Sequence, residues 1–178
     1  STPSKVAALV SRLTAGASVA LVSDAGTPLI SDPGHELVTA AIEAGVSVDP
    51  IPGACAQIAA VTASGFDLGS VLFLGFAPNR SGDREHWFSA LARRDETLVF
   101  FEAPHRIRDT LAALAVRLPR RSVCLARELT KIHQEFIRGT PEEVQKGLVS
   151  EKGEFTVVVG PSIGDTTEVG LMPAPDVL

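Results

Sequence analysis

Only two cysteines occur in the 178 residues, Cys55 and Cys124, far apart and without metal-ligand spacing. A disulfide framework and a cysteine-based metal site are thereby set aside, no metal is expected, and a reducing cytoplasm fits best. No apolar run approaches the roughly 20 residues that cross a bilayer, so no membrane segment is expected, and the start of the chain shows no signal-peptide pattern. Internal repeats and low-complexity tracts are missing, which argues against solenoids and fibrous chains. What remains is an ordinary globular composition, with 45% hydrophobic and 21% charged residues and enough length to bury a substantial core.

The net charge is -5, but it is unevenly spread. Residues 70–150 carry 13 Lys and Arg against 10 Asp and Glu, whereas the rest carries 3 against 11. The middle of the chain is therefore the better face for phosphate, although a solvated mixture of surface charges accounts for the counts equally well.

Periodicity divides the chain into alternating elements. Val6, Leu9, Val10 and Leu13 recur at helical spacing behind Thr2 and Pro3, which suit an N-cap and a first helical position. Residues 18–23 (SVALVS) and 46–51 (VSVDPI) read as short apolar strands, with a helix over 36–44 between them and another after Pro52-Gly53. Beyond the connector SGFDLGS a second series begins: strand 71–76, helix 83–93, strand 97–101, helix 104–118, strand 122–126, helix 141–149 and the strand FTVVVG. Thr140-Pro141-Glu142-Glu143 predicts a capping box. The pattern predicts an α/β fold in two lobes, 1–69 and 70–162, with a loose tail over 163–178.

Two loops carry the chemistry. Ser23 to Gly34 (SDAGTPLISDPG) leaves an apolar stretch and presents Asp24, Thr27, Ser31 and Asp32 on a backbone shaped by glycine and proline. It can wrap a small polar ligand or be a rigid turn, and it lacks the Gly-Lys-Ser/Thr ending of a Walker loop. Ile51 to Gln57 (IPGACAQ) delivers the chain into a helix of small residues whose first amides can meet a ligand. Cys55 reads either as a nucleophile or, with no basic neighbour in sequence, as a small packed or ligand-facing residue.

These loops, in this order, resemble the cofactor loops of the tetrapyrrole-methylase superfamily. The resemblance continues through LGFAPNR, FFEAPHRI, LARELTK and KGEFTVVVG, covering about Lys5 to Gly160. Within the superfamily, SDAGTPLISDPG, FFEAPHR and ARELTK resemble the enzymes that methylate a ribose 2'-hydroxyl in 16S ribosomal RNA rather than the precorrin or siroheme methylases. The resemblance implies a class III methyltransferase fold, a homodimer, and S-adenosylmethionine bound between two lobes. By position it implies contacts to that cofactor from Asp24, Gly26, Thr27, Ile30, Ser31, Cys55 and Ala56, and from Phe101, Glu102, Ala126, Arg127, Phe155 and Thr156 on the other lobe. Members begin with a strand and a proline/glycine-rich loop that do not precede Ser1, so the chain is expected to be N-terminally incomplete.

Methyl transfer to a ribose needs a positioned hydroxyl and a route for its proton, and no metal. Glu128, Lys131, His105 and Arg106 are the expected catalytic and substrate-side residues, the basic ones holding phosphate and an acid or a lowered-pKa lysine assisting deprotonation. The alternative is structural: an Arg106–Glu128 ion pair, with His105 capping the helix begun at Pro104. Arg80, Arg84, Arg93 and Arg94 could form an RNA-facing patch beside Trp87, although Trp87 at helical spacing with Leu91 reads rather as core. The expected partner is ribosomal RNA or the small ribosomal subunit. The competing functions are a tetrapyrrole or protein-side-chain methylase and a non-catalytic dimerising or RNA-binding module.

Overall fold

The computed structural model describes residues 2–162; the expected tail over 163–178 lies outside the described residues. Helix α1 (Pro3–Thr14) begins with Pro3 in its first turn, is amphipathic as the sequence spacing requires, and packs on α2 (His35–Glu43) without fully burying any residue. A short α3 (Ala56–Thr62) follows the second glycine-containing loop.

A five-stranded sheet organises the rest: β1 (Val71–Phe76), β2 (Thr97–Glu102), β3 (Val123–Arg127), β4 (Glu135–Gly139) and β5 (Phe155–Val159), in the spatial order β1-β2-β5-β3-β4. Only β1 and β2 run parallel; β5 inserts antiparallel between β2 and β3, and β3 and β4 form a hairpin. Every residue of β5 is buried, and four of the five are apolar, Thr156 being the exception. On one face Leu98, Phe100, Leu125 and Val157 pack under α4 (Ser81–Leu91), α5 (Ile107–Arg117) and α6 (Pro141–Gly147). On the other, Val99, Cys124, Ala126 and Val158 meet Ala60 and Val61 of α3. The small residues of α3 let that helix lie close on the sheet. Burial in this apolar layer pushes the Cys124 thiol pKa up, so the group packs as a small hydrophobe.

Several expectations are corrected. Residues 18–23 and 46–51 form no strand: neither enters a hydrogen-bonded ladder among the described residues, and Val22 and Ile51 are exposed. Apolar content alone does not make a strand without a neighbour to receive its backbone hydrogen bonds. Strand β4 was not anticipated, because EFIRG alternates weakly and is short. The expected helix 104–118 starts as a 3-10 turn, Pro104–Arg106, before α5 takes over. Trp87 meets Phe88 and Phe100 edge-to-face at centroid distances of 5.1 and 5.0 Å and packs, half-buried, against the core.

The capping box at α6 forms as read: the Thr140 hydroxyl accepts from the Glu143 amide, and the Glu143 carboxylate accepts from the Thr140 amide at 2.8 Å. Thr140→Ala is expected to lower stability by about 1 kcal/mol in urea denaturation; an unchanged midpoint would show that the box contributes nothing to the fold.

Candidate functional site

Because β5 runs antiparallel to β2 with Phe155 opposite Glu102, the start of β5 lies at the same sheet edge as the carboxyl end of β2. Residues 101–104 and 153–156 therefore form one wall of a cleft of about 410 Å³, and residues 25–32 and 55–57 form the other. That volume lies within the range of about 300–1,000 Å³ common for small-molecule sites. The Thr27 hydroxyl ties the two loops together by donating to the Ala54 carbonyl at 2.9 Å. Gly26, at φ 71°, supplies a backbone conformation that L side chains rarely adopt, within van der Waals reach of the same carbonyl. The loops that looked separate in sequence thus share one pocket.

The backbone around the cleft is strained. Leu29, Ser31, Glu128 and Thr130 are the non-glycine residues with positive φ among those described, and all belong to the 23–34 loop or the 128–134 loop that flanks the opposite wall. Gly75 adds a bulge in β1, at φ 67°, where the pairing with β2 shifts register between Phe73 and Phe76. The bulge sets Phe76 against Phe101, ring centroids 5.4 Å apart, at the cleft wall.

Of the residues singled out for the cofactor, Gly26, Thr27, Ile30, Ser31, Cys55, Ala56, Phe101, Glu102, Phe155 and Thr156 line this cleft. Asp24 is exposed beside it, while Ala126 and Arg127 pair with Thr156 and Phe155 from the neighbouring strand and are not among its lining residues. Phe76, Gly153 and Glu154 also line it and were missed. The glycine inside a strand pattern at Gly75 was the available signal for Phe76. Gly153 and Glu154 depend on the antiparallel course of β5, which no local pattern announces.

Glu102 is fully withdrawn from water. Its Oε1 accepts from the Ala103 amide at 2.7 Å and forms an ion pair with Arg106 at 2.7 Å, and its Oε2 accepts from Arg84 at 3.1 Å and from the Thr110 hydroxyl. These contacts engage both oxygens of the carboxylate. Arg106 also bonds Asn79 in the loop after β1. The expected Arg106–Glu128 pair is therefore replaced by Arg106–Glu102, and Arg84 leaves the proposed RNA patch for the same carboxylate. Of that patch, Arg80 and Arg93 are exposed, and Arg94 lies 3.7 Å from Glu96.

At the far rim, the Lys131 ammonium sits 2.9 Å from Glu128 and 3.1 Å from Glu154. The hydrogen bond to Glu128, then that to Glu154, raises the Lys131 pKa; the bonds from Lys131 and from the Glu154 amide lower that of Glu128. The expectation of a lowered-pKa lysine is thus reversed. Gly153 lets the rim close: a Cβ there would lie 2.5 Å from Glu128 Cγ. His105 is exposed on the turn next to Pro104, which lines the cleft. Among the described residues no group of His, Cys, Asp and Glu is arranged to hold a metal, and no helix is long and apolar enough to cross a membrane.

Glu102→Gln removes the charge that two largely buried arginines require, and should destabilise the fold by about 3 kcal/mol or more in urea denaturation. A wild-type stability would mean that the arginines find other partners and that the network is dispensable.

Comparison with known proteins now bears on this geometry. Residues 4–145 match the family described as Tetrapyrrole (Corrin/Porphyrin) Methylases. The chain is 45% identical over 85% of its length to ribosomal RNA small subunit methyltransferase I of Halalkalibacterium halodurans, covering 53% of that protein. It is 48% identical over 86% of its length to the protein of the same name from Micromonospora olivasterospora, covering 50% of it. It thus spans about half the length of these curated relatives. Among solved structures, cobalt precorrin-4 methyltransferase shares its fold with a TM-score of 0.61 at 18% identity, over 88% of this chain and 69% of that one. With the fold, the cleft and the family match in agreement, the chain belongs to the tetrapyrrole (corrin/porphyrin) methylase family.

Proposed function

We propose that the protein transfers a methyl group from S-adenosylmethionine to the ribose 2'-hydroxyl of a cytidine in 16S ribosomal RNA. The observation that carries this reading is the convergence of the 23–34 and 51–57 loops on one cleft, closed by Thr27 and Ala54. The name shared by relatives 45% and 48% identical favours ribosomal RNA over a tetrapyrrole, since the cobalamin enzyme of like fold is only 18% identical. In this reading the lobes are 1–69 and 70–162, the protein acts as a homodimer in the cytoplasm, and the small ribosomal subunit or its RNA is the partner.

The cleft suits a sulfonium nucleoside. Gly26, Cys55 and Ala56 leave room, Ile30, Phe76 and Phe101 offer apolar surface, and the hydroxyls of Thr27 and Ser31 supply polar contacts. Glu102, its acceptors already engaged, would meet a ligand through its backbone. When bound, S-adenosylmethionine supplies an electrophilic methyl group for in-line displacement. The chain's own task is to hold the acceptor hydroxyl behind that methyl. Lys131 and Glu128 remain charged through neutral pH, so they serve electrostatically: Lys131 holds RNA phosphate and Glu128 holds Lys131 in place. In this reading His105, exposed beside Pro104, serves on the substrate side, while Arg106 acts indirectly by fixing Glu102 and Asn79.

Thr27→Val should weaken binding of S-adenosylhomocysteine about fivefold in isothermal titration of the full-length protein, the worth of one hydrogen bond. Undiminished affinity would separate the loop tie from the cofactor site, and absence of binding by the wild type would remove the methylase reading. Lys131→Ala should reduce the slope of log affinity for ribosomal RNA against log salt by about one, as loss of one phosphate contact requires; an unaltered slope would take Lys131 off the RNA. The raised Lys131 pKa keeps its cation until pH rises beyond the ordinary lysine range, and the lowered Glu128 pKa keeps its anion until pH falls below the ordinary carboxylate range. Lys131→Ala should therefore reduce methylation evenly between about pH 6 and 9. A new inflection in that window would show that the pair does exchange a proton.

A further inference from the structure

Helix α3 buries one stripe, Gln57, Ala60 and Val61, the i, i+3 and i+4 positions that share a helix face. Ala60 and Val61 meet Val99, Cys124, Ala126 and Val158 of the sheet, so that seam is apolar. At its end beside the cleft the stripe turns polar. Gln57 is only 8% exposed, and its side-chain amide makes no hydrogen bond among the described residues. The sheet does the same: Thr156, two residues before Val158 and therefore on the same face of β5, is 4% exposed, and its hydroxyl also has no partner among the described residues.

An amide so far withdrawn from water is costly unless something bonds it, and an apolar side chain of similar volume would complete the stripe without that cost. Among the described residues only Arg106 Nε is sealed from water without a partner, so the polar atoms of Gln57 and Thr156 keep an opening. Both residues line the cleft, from opposite walls. The unmet hydrogen bonds therefore belong to what the cleft holds. A charged group gains little at this end, because no Lys, Arg or His lines the cleft and the seam beyond it is apolar. A neutral ring fits better. Phe101, paired with Thr156 on the adjacent strand, also lines the cleft and supplies apolar surface for it.

We propose that Gln57 reads the adenine of S-adenosylmethionine: its amide oxygen accepts from the 6-amino group while its amide nitrogen donates to the adjoining ring nitrogen. The inference rests on the cofactor reading above. A carboxamide carries an acceptor and two donors in one plane, the pattern that matches an adenine edge with two bonds at once. A serine or threonine hydroxyl, with a single donor on a single atom, cannot span both positions. The charged amino-acid end of the cofactor then stays at the wetter side of the cleft, where Asp32 and Glu154 are exposed.

The test measures binding of S-adenosylhomocysteine to the full-length protein beside that of its analogue with hydrogen in place of the 6-amino group. The wild type should prefer the parent compound about tenfold, the worth of one well-made hydrogen bond. Gln57→Leu should bind both compounds with nearly equal, weakened affinity. Its melting temperature without ligand should equal or exceed that of the wild type, because the change removes an unbonded polar group from a buried stripe; a structural role for the amide would lower it. Gln57→Met gives the same comparison with a different apolar shape. No preference in the wild type, a preference that both variants keep, or variants that both melt well below the wild type would each overturn the role of Gln57. Wild-type protein that binds neither compound would instead overturn the cofactor reading on which it stands.

Discussion

The cleft is registered against one buried carboxylate. Glu102 ends β2, and its oxygens collect donors from α4, α5, the 3-10 turn and the following peptide. Arg106 extends the network to Asn79, so the loop after β1 is held by the same group. Desolvating a carboxylate is costly unless each lone pair finds a donor. The local structure is what satisfies that condition, and it leaves little freedom for the loops at this sheet edge.

Against that fixed wall stands a second one made by irregular backbone. The 23–34 loop in that second wall adopts left-handed conformations at Leu29 and Ser31, and the 128–134 loop, which flanks the first wall, does so at Glu128 and Thr130. The strain is localised beside the cleft, while the sheet and its helices obey ordinary packing rules. Glycine permits the close approach of residue 153 to Glu128, and Gly26 supplies a positive φ in the first loop. Thr27, Lys131 and Glu154 then hold the parts together with few bonds, and the electrostatics of the rim follow, since Lys131 between two carboxylates has every reason to keep its proton.

Much of this was legible before any coordinates. Strands with continuous apolar runs, such as FTVVV, and the helix headed by Thr140-Pro141 have local causes, so local reading finds them. The two cofactor loops were visible through their glycines and prolines. What escaped depended on partners distant in sequence. Residues 18–23 have the composition of a strand but no ladder, and composition cannot supply one. The antiparallel insertion of β5 places Gly153 and Glu154 at the cleft, and nothing in KGEF states its neighbour. Glu102 stood in plain view within FFEAPHR and lines the cleft, yet its further part as an anchor was not legible, because its donors Arg84 and Thr110 come from two different helices. The raised Lys131 pKa comes first from Glu128, three residues away in the same motif, and then from Glu154, 23 residues away in sequence and in contact in space.

The placement of α3 carries a thermodynamic consequence. Cys55 and Ala56 open that helix at the cleft, and Ala60 and Val61, one turn on, are bedded in the central strands. A molecule that settles on the leading turn is therefore linked to the cooperative unit and not to a surface loop alone. Its binding free energy is added to the unfolding free energy of the sheet, so saturation with ligand raises the melting temperature of the core in proportion to the logarithm of ligand concentration over its dissociation constant.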